Sequence, residues 1–190
     1  MNNLIRGMLA FAVLAIAAGP ACADEYGATV DSFKAAGQSA SFFSRSYGYA
    51  VFPTVGKGGF VVGAAHGSGH VYASGKYVGD TSMTQVSVGF QAGGEAYSEI
   101  IFFEDKRAFD EFTSGSFEFS ADANAVVITA AASGTAGTSG ATGSASAGDK
   151  AATAGAYYKG MAVFTIAKGG LMYQATIGGQ KFSYKAAGGK

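Results

Sequence analysis

The sequence has no tryptophan, one cysteine and two prolines, and only 14% of its 190 residues are charged. The cysteine, Cys22, sits at the end of an apolar N-terminal leader. Once the leader is removed no cysteine remains, so disulfides are not expected to hold the fold. Charge of one sign is not in excess either. Thirteen Lys and Arg balance thirteen Asp and Glu. That excludes the strongly basic footprint of a nucleic-acid binder. There is no Gly-x-Ser-x-Gly elbow and no nucleophile beside a base, so no catalytic constellation emerges. Glycine is what the chain has in abundance, at 30 residues, well above the ordinary share of roughly 7%. It shows no three-residue period, so collagen is excluded and tight turns and closely packed strands remain. With 48% hydrophobic residues, one domain with a sizeable core is expected.

Residues 1–23 read as a secretory signal. Arg6 supplies the positive start. Met8 to Ala18 is apolar but too short to span a bilayer comfortably. Ala21-Cys22-Ala23 is an A-x-A cleavage site, so the mature chain should begin at Asp24 and form one domain over 24–190. A lipoprotein acylated at Cys22 fits less well, because Gly19 stands where leucine is wanted, followed by Pro20. The expected location is therefore outside the cytoplasm, in the periplasm or cell envelope.

The rest is organised around Tyr47 to Tyr72, YGYAVFPTVGKGGFVVGAAHGSGHVY. Its Lys57-Gly58-Gly59-Phe60 returns as Lys168-Gly169-Gly170-Leu171. A looser copy surrounds Gly93-Gly94, from Phe90 to Tyr97. Each copy is a hydrophobic run, a glycine pair and a second run ending in an aromatic. Glycine reaches the φ > 0 conformations that two-residue hairpin turns need, so this is hairpin grammar. The fold class expected is α+β. A mainly antiparallel sheet or partly closed barrel is built from repeated glycine-turn hairpins, with an N-terminal helix and a second short helix packed on it.

YGYAVFPTVGKGGFVVG, the GSG turn, and GFQAGGEAY running into IIFF resemble the SYLF domain. The later KGGLMYQATIGGQKF is similar to that family's bacterial branch. The resemblance runs from about Phe33 to Tyr184. It implies an exported, non-catalytic module that binds phosphoinositides or other membrane phospholipid. In fungal members it also implies actin bundling, so an interaction with an envelope protein is the alternative.

Taken in order, Ala28 to Ser46 predicts an amphipathic helix, with Tyr26, Val30, Phe33, Gly37, Ala40 and Phe43 on one stripe. Its polar side is not lysine-rich, so packing on the sheet is favoured over lying in a membrane surface. Tyr49 to Pro53 reads as a short buried strand stopped by proline. Gly59 to Ala65 and His70 to Tyr77 should pair through Gly67-Ser68-Gly69. Met83 to Gln91 alternates, with Met83 and Gln85 on one side and Thr84 and Val86 on the other, as in a half-buried strand. Ala96 to Phe103 reads as a central strand. Glu104 to Ser114 reads as a second helix, capped by Asp105 and ended by Gly115. A strand is expected around Ala125 to Ile128. The Ala/Gly/Ser/Thr-rich stretch 130–156 reads as a loop. Met161 to Ala167, Leu171 to Ile177 and Lys181 to Tyr184 should close the sheet.

His66 and His70 have H-x-x-x-H spacing, but on an extended strand they would stand roughly 13 Å apart, so no metal is expected. No cofactor motif appears. Gly56-Lys57-Gly58-Gly59 fails both phosphate-loop patterns, although exposed glycine N–H groups attract anions. The acidic pairs Glu104-Asp105 and Asp110-Glu111 read as a solvated helix face. The residues nominated for lipid contact are Lys57, Lys76, Lys168 and Lys181 for headgroups, with Phe42 and Phe43 as inserting groups.

Overall fold

The computed structural model describes residues 21–59, 62–88, 95–119, 125–128, 157–168 and 177–188. The leader up to Pro20, the stretch 130–156, the Gly93-Gly94 and Gly169-Gly170 turns and nearly all of Leu171 to Ile177 lie outside the described residues. The elements run α1 (Ala21–Ala35), α2 (Gly37–Ala40), α3 (Phe42–Arg45), β1 (Gly48–Gly59), β2 (Val62–Ala73), β3 (Lys76–Val88) and β4 (Glu95–Phe103). Then come α4 (Lys106–Phe112), β5 (Phe117–Glu118), β6 (Val126–Ile128), β7 (Met161–Ala167) and β8 (Gln180–Ala186). The strands form one sheet in the order β5-β8-β3-β2-β1-β4-β7-β6. It curls into a half-barrel, antiparallel except for β6 against β7. The α+β expectation holds.

Alternation along the strands makes two apolar layers. Phe52, Met83, Ile101, Phe103 and Phe182 face the interior, where α4 adds Ala108 and Phe112. Val51, Ile100, Phe102 and Phe164 face outward, and Val30, Phe33 and Phe42 of the N-terminal helices cover them. Asp105 caps α4, its Oδ1 accepting from the Ala108 N–H at 2.8 Å. Gly115 follows at φ 106°, a conformation that glycine takes freely.

Four local expectations are corrected. The first is Pro53, which does not stop its strand. β1 continues to Gly59, and its register shifts against both neighbours between Val51 and Val55. A bulge accommodates a residue that cannot donate to the ladder. Second, Gly67-Ser68-Gly69 is not a turn but the middle of β2. The turn is Ser74-Gly75, both at positive φ, as a two-residue hairpin requires. Gly67 and Gly69 serve packing instead. A Cβ on Gly69 would lie 2.7 Å from Phe52 Cδ1, and one on Gly67 would lie 2.8 Å from Val55 Cγ2. Gly69→Ala should therefore cost about 1–3 kcal/mol through overpacking, read as a lowered urea midpoint with unchanged slope.

Third, the hairpin grammar holds for β1–β2 and β2–β3 but not around Gly93-Gly94. β3 pairs with β2 and β8, whereas β4 pairs with β1 and β7. The Ile100-Ile101-Phe102-Phe103 run needs cover on both faces, and the slot between β1 and β7 supplies it. Fourth, the N-terminal helix breaks at Ala36, which is extended at φ −81° and ψ 109°. The residues it buries are Thr29, Val30, Phe33, Ala36, Ser39 and Phe42. The helix packs on the sheet, as favoured, but with a shifted stripe.

Candidate functional site

Among the described residues, helices cover only part of the sheet's outer face. Over β1, β4 and β7 that face carries α1, α2 and α3. Over β2, β3 and β8 the alternate residues Ala64, His66, Ser68, Thr84, Val86 and Ser183 are exposed. Val86 is 71% exposed. On β3 the alternation is therefore as expected, but the more polar pair, Met83 and Gln85, is the buried one.

Cross-strand pairing sets this surface out in rows. Lys181 lies opposite Thr84, Thr84 opposite His66, His66 opposite Gly56, and Gly56 opposite Ala96. The Lys168 N–H donates to the Ala96 carbonyl and completes the row. The next row contains Ser68, Ser82 and Ser183, with a 2.7 Å hydrogen bond between the last two hydroxyls. Beyond it lie His70, Asp80 and Lys185. Tyr26 of α1 stacks on His70 with ring centroids 3.5 Å apart, tying the helix to the sheet. Burial lowers the His70 pKa, and nearby Asp80 partly offsets this. His66 and His70 occupy one strand, as the spacing argument required. Among the described residues no three His, Cys, Asp or Glu side chains group as metal ligands.

The nominated lysines do not converge. Lys168 and Lys181 share one transverse row but are five strands apart, roughly 24 Å at ordinary strand spacing. Each has an acidic neighbour. Lys168 Nζ lies 3.6 Å from Glu25 and donates to Thr54 Oγ1 at 2.7 Å, and Lys181 lies 3.5 Å from Glu118. Lys57 stands at the same end of the sheet, but it pairs with Ala65 on the inner face. Lys76 pairs with Ala73 at the opposite end.

Phe42 is corrected outright. It is 0% exposed, packed against Phe102, Tyr157 and Phe164, so it is not a surface group. Phe43 is half-buried, edge-on to Phe102 and Tyr49. The acidic residues of α4 are solvated as expected, Asp110 with Lys106 and Glu111 with Arg107.

Sequence reasoning missed a polar cluster inside the half-barrel. Glu99 is 0% exposed on the inner face, opposite Phe52 of β1 and Thr165 of β7. Gln180 of β8 donates from Nε2 to Glu99 Oε2 at 3.1 Å and to the Tyr97 hydroxyl at 3.3 Å. Glu99 Oε1, Thr165 Oγ1 and Gln180 Oε1 have no partner. Burial pushes the Glu99 carboxyl up to about 7, and the Gln180 hydrogen bond opposes this. The signal available in the sequence was an acidic residue, Glu99, directly before the apolar Ile100–Phe103 run of β4.

Comparison with known proteins places the chain in a family. The model of the Ysc84 family, described as "Las17-binding protein actin regulator", matches residues 84–186. The chain is 30% identical over 142 residues to Beta cell expansion factor A of Aeromonas veronii, covering 74% of this chain and 46% of that protein. It thus spans about half the length of the curated relative it matches. The family match covers more than half of the chain, taking in β8 and the end of β3 from Thr84, and the chain belongs to the SYLF (Ysc84) family.

Proposed function

We propose that this protein is an exported, non-catalytic module that docks on anionic phospholipid surfaces through the outer face of β2, β3 and β8. One observation carries the reading. This sheet face is exposed and lined with small and hydroxyl side chains, with Lys181 and Lys185 along β8 and Lys168 at the far end of the same transverse row, beyond β1 and β4. Lysines spread over tens of ångströms suit an extended charged surface better than one headgroup. Their exposed ion pairs are worth little, about 0–1 kcal/mol each, so lipid phosphates compete readily with Glu25 and Glu118. The hydroxyls of Ser68, Thr84 and Ser183 supply neutral donors between them. Lys57 and Lys76 lie off this face and contribute less.

The test is co-sedimentation with anionic and neutral vesicles at low and high salt. Each lysine near an anionic surface contributes on the order of 1 kcal/mol. Replacing Lys168, Lys181 and Lys185 together by Ala should weaken anionic-vesicle binding about 100-fold, whereas K76A should barely change it. Triple-variant binding equal to wild type sinks this surface. A second reading, a protein partner on the same face, is favoured by the family description as an actin regulator. Capture of a protein partner without any vesicle binding would select it.

A further inference from the structure

The interior cluster has no part in lipid docking, and its geometry is unusual for a barrel core. Glu99, Thr165 and Gln180 come from β4, β7 and β8. β4 and β8 are four places apart in the sheet, so the Gln180–Glu99 bond spans the interior rather than following the ladder. It braces one wing of the curl against the other.

Among the described residues no charge on the neighbouring elements compensates Glu99. The groups facing it are Phe52 on β1, Thr165 on β7, Gln180 on β8 and the Tyr97 hydroxyl on β4, while Gln85 of β3 is turned to the Gly178 carbonyl. From α4 the interior receives Ala108 and Phe112. The basic residue of β1 on this face, Lys57, pairs four positions along β4, at Glu95, roughly 13 Å away. A buried carboxylate without a cation is costly, and such a group takes a proton instead.

The hydrogen bonds indicate which oxygen is protonated. Oε2 accepts from Gln180, so the acid proton belongs on Oε1, the oxygen without a partner. Thr165 Oγ1 and Gln180 Oε1 are also without one. One water matches this set, since it accepts from Oε1–H and donates to the other two oxygens. Three bonds are what a buried water ordinarily makes.

We propose that Glu99, Thr165 and Gln180 form an internal proton-binding site, in which neutral Glu99 and one shared water brace β4, β7 and β8 across the half-barrel. When the proton leaves to solvent, a carboxylate is stranded among apolar walls and the brace becomes a source of strain between the wings.

Two measurements on the full chain test this. The side-chain carboxyl of Glu99, followed by carbon NMR and assigned by its loss in Glu99→Gln, should titrate near neutrality. Calorimetric unfolding at pH 6, in two buffers of different ionisation enthalpy, should release about one more proton from wild type than from E99Q. A carboxyl midpoint in the ordinary range near 4, or equal proton release from both proteins, overturns the site. If E99Q does not fold, the wild-type spectrum decides without that assignment: one side-chain carboxyl titrating near neutrality supports the site, and all carboxyls titrating in the ordinary range overturn it. A crystal structure at pH 6 should show one water within hydrogen-bond distance of all three oxygens. A dry interior there would overturn the shared water.

Discussion

Phe42→Ala should cost the fold about 3–5 kcal/mol, the range for removing a fully buried aromatic. The ring is where the N-terminal helices meet the sheet. Its centroid lies 4.9 Å from that of Phe164, 5.2 Å from Tyr157 and 5.4 Å from Phe102. The Arg45 guanidinium sits 3.8 Å over its face. Its partners on β4 and β7, Phe102 and Phe164, are fixed in the ladder, so the gap cannot readily collapse. Chemical denaturation should show the midpoint falling sharply, with α2 and α3 losing amide protection first. Phe43→Ala, at a half-buried ring, should cost clearly less. Equal and small losses at both positions would mean that the helices do not pack through Phe42.

Wild-type stability should fall by about 3 kcal/mol between pH 5 and pH 9 through Glu99 alone. The sign follows from its raised pKa, about 7 folded against 4.5 for the free group. Below the free value both states are protonated and the stabilising contribution is complete. As pH rises, the unfolded chain releases its proton first, and the contribution is lost on passing the folded value. His70 acts in the opposite sense. Its lowered pKa removes stability as pH falls below the ordinary histidine value, but its partial burial makes this the smaller effect. The expected profile is a maximum in mildly acidic solution with a decline through neutrality. E99Q should flatten the alkaline side. A wild type as stable at pH 9 as at pH 6 would refute the assignment.

Much of this was legible from residue order. Period-two alternation marked β3, the Ile100–Phe103 run marked a central strand, and Asp105 marked the start of α4. Errors arose where one residue type serves two purposes. Gly67 and Gly69 carry the composition of a turn, but their lack of a side chain admits Phe52 and Val55. Pro53 carries the composition of a strand end, but a bulge absorbs it. Phe42 and Phe43 are adjacent and chemically identical, and which one is buried depends on the break at Ala36, six residues before Phe42. The proposed docking face was legible only in part. Lys168 and Lys181 were found through repeat position and charge, whereas Lys185, Ser82 and Ser183 join them only through strand pairing.

By itself the sequence determined the local grammar: strands separated by glycine turns, an antiparallel α+β domain, a helix packed on a sheet, and membership signalled by the Tyr47–Tyr72 and Phe90–Tyr97 segments. These depend on backbone preference and periodicity, which act over a few residues. Only the tertiary structure decided that β4 leaves β3 to lie beside β1, which lysines share a face, and that Glu99 meets Gln180 across the interior. The Glu99–Gln180 contact joins residues 81 positions apart, β1 and β4 are not consecutive strands, and the face a lysine takes follows from sheet order and register, which no local pattern records.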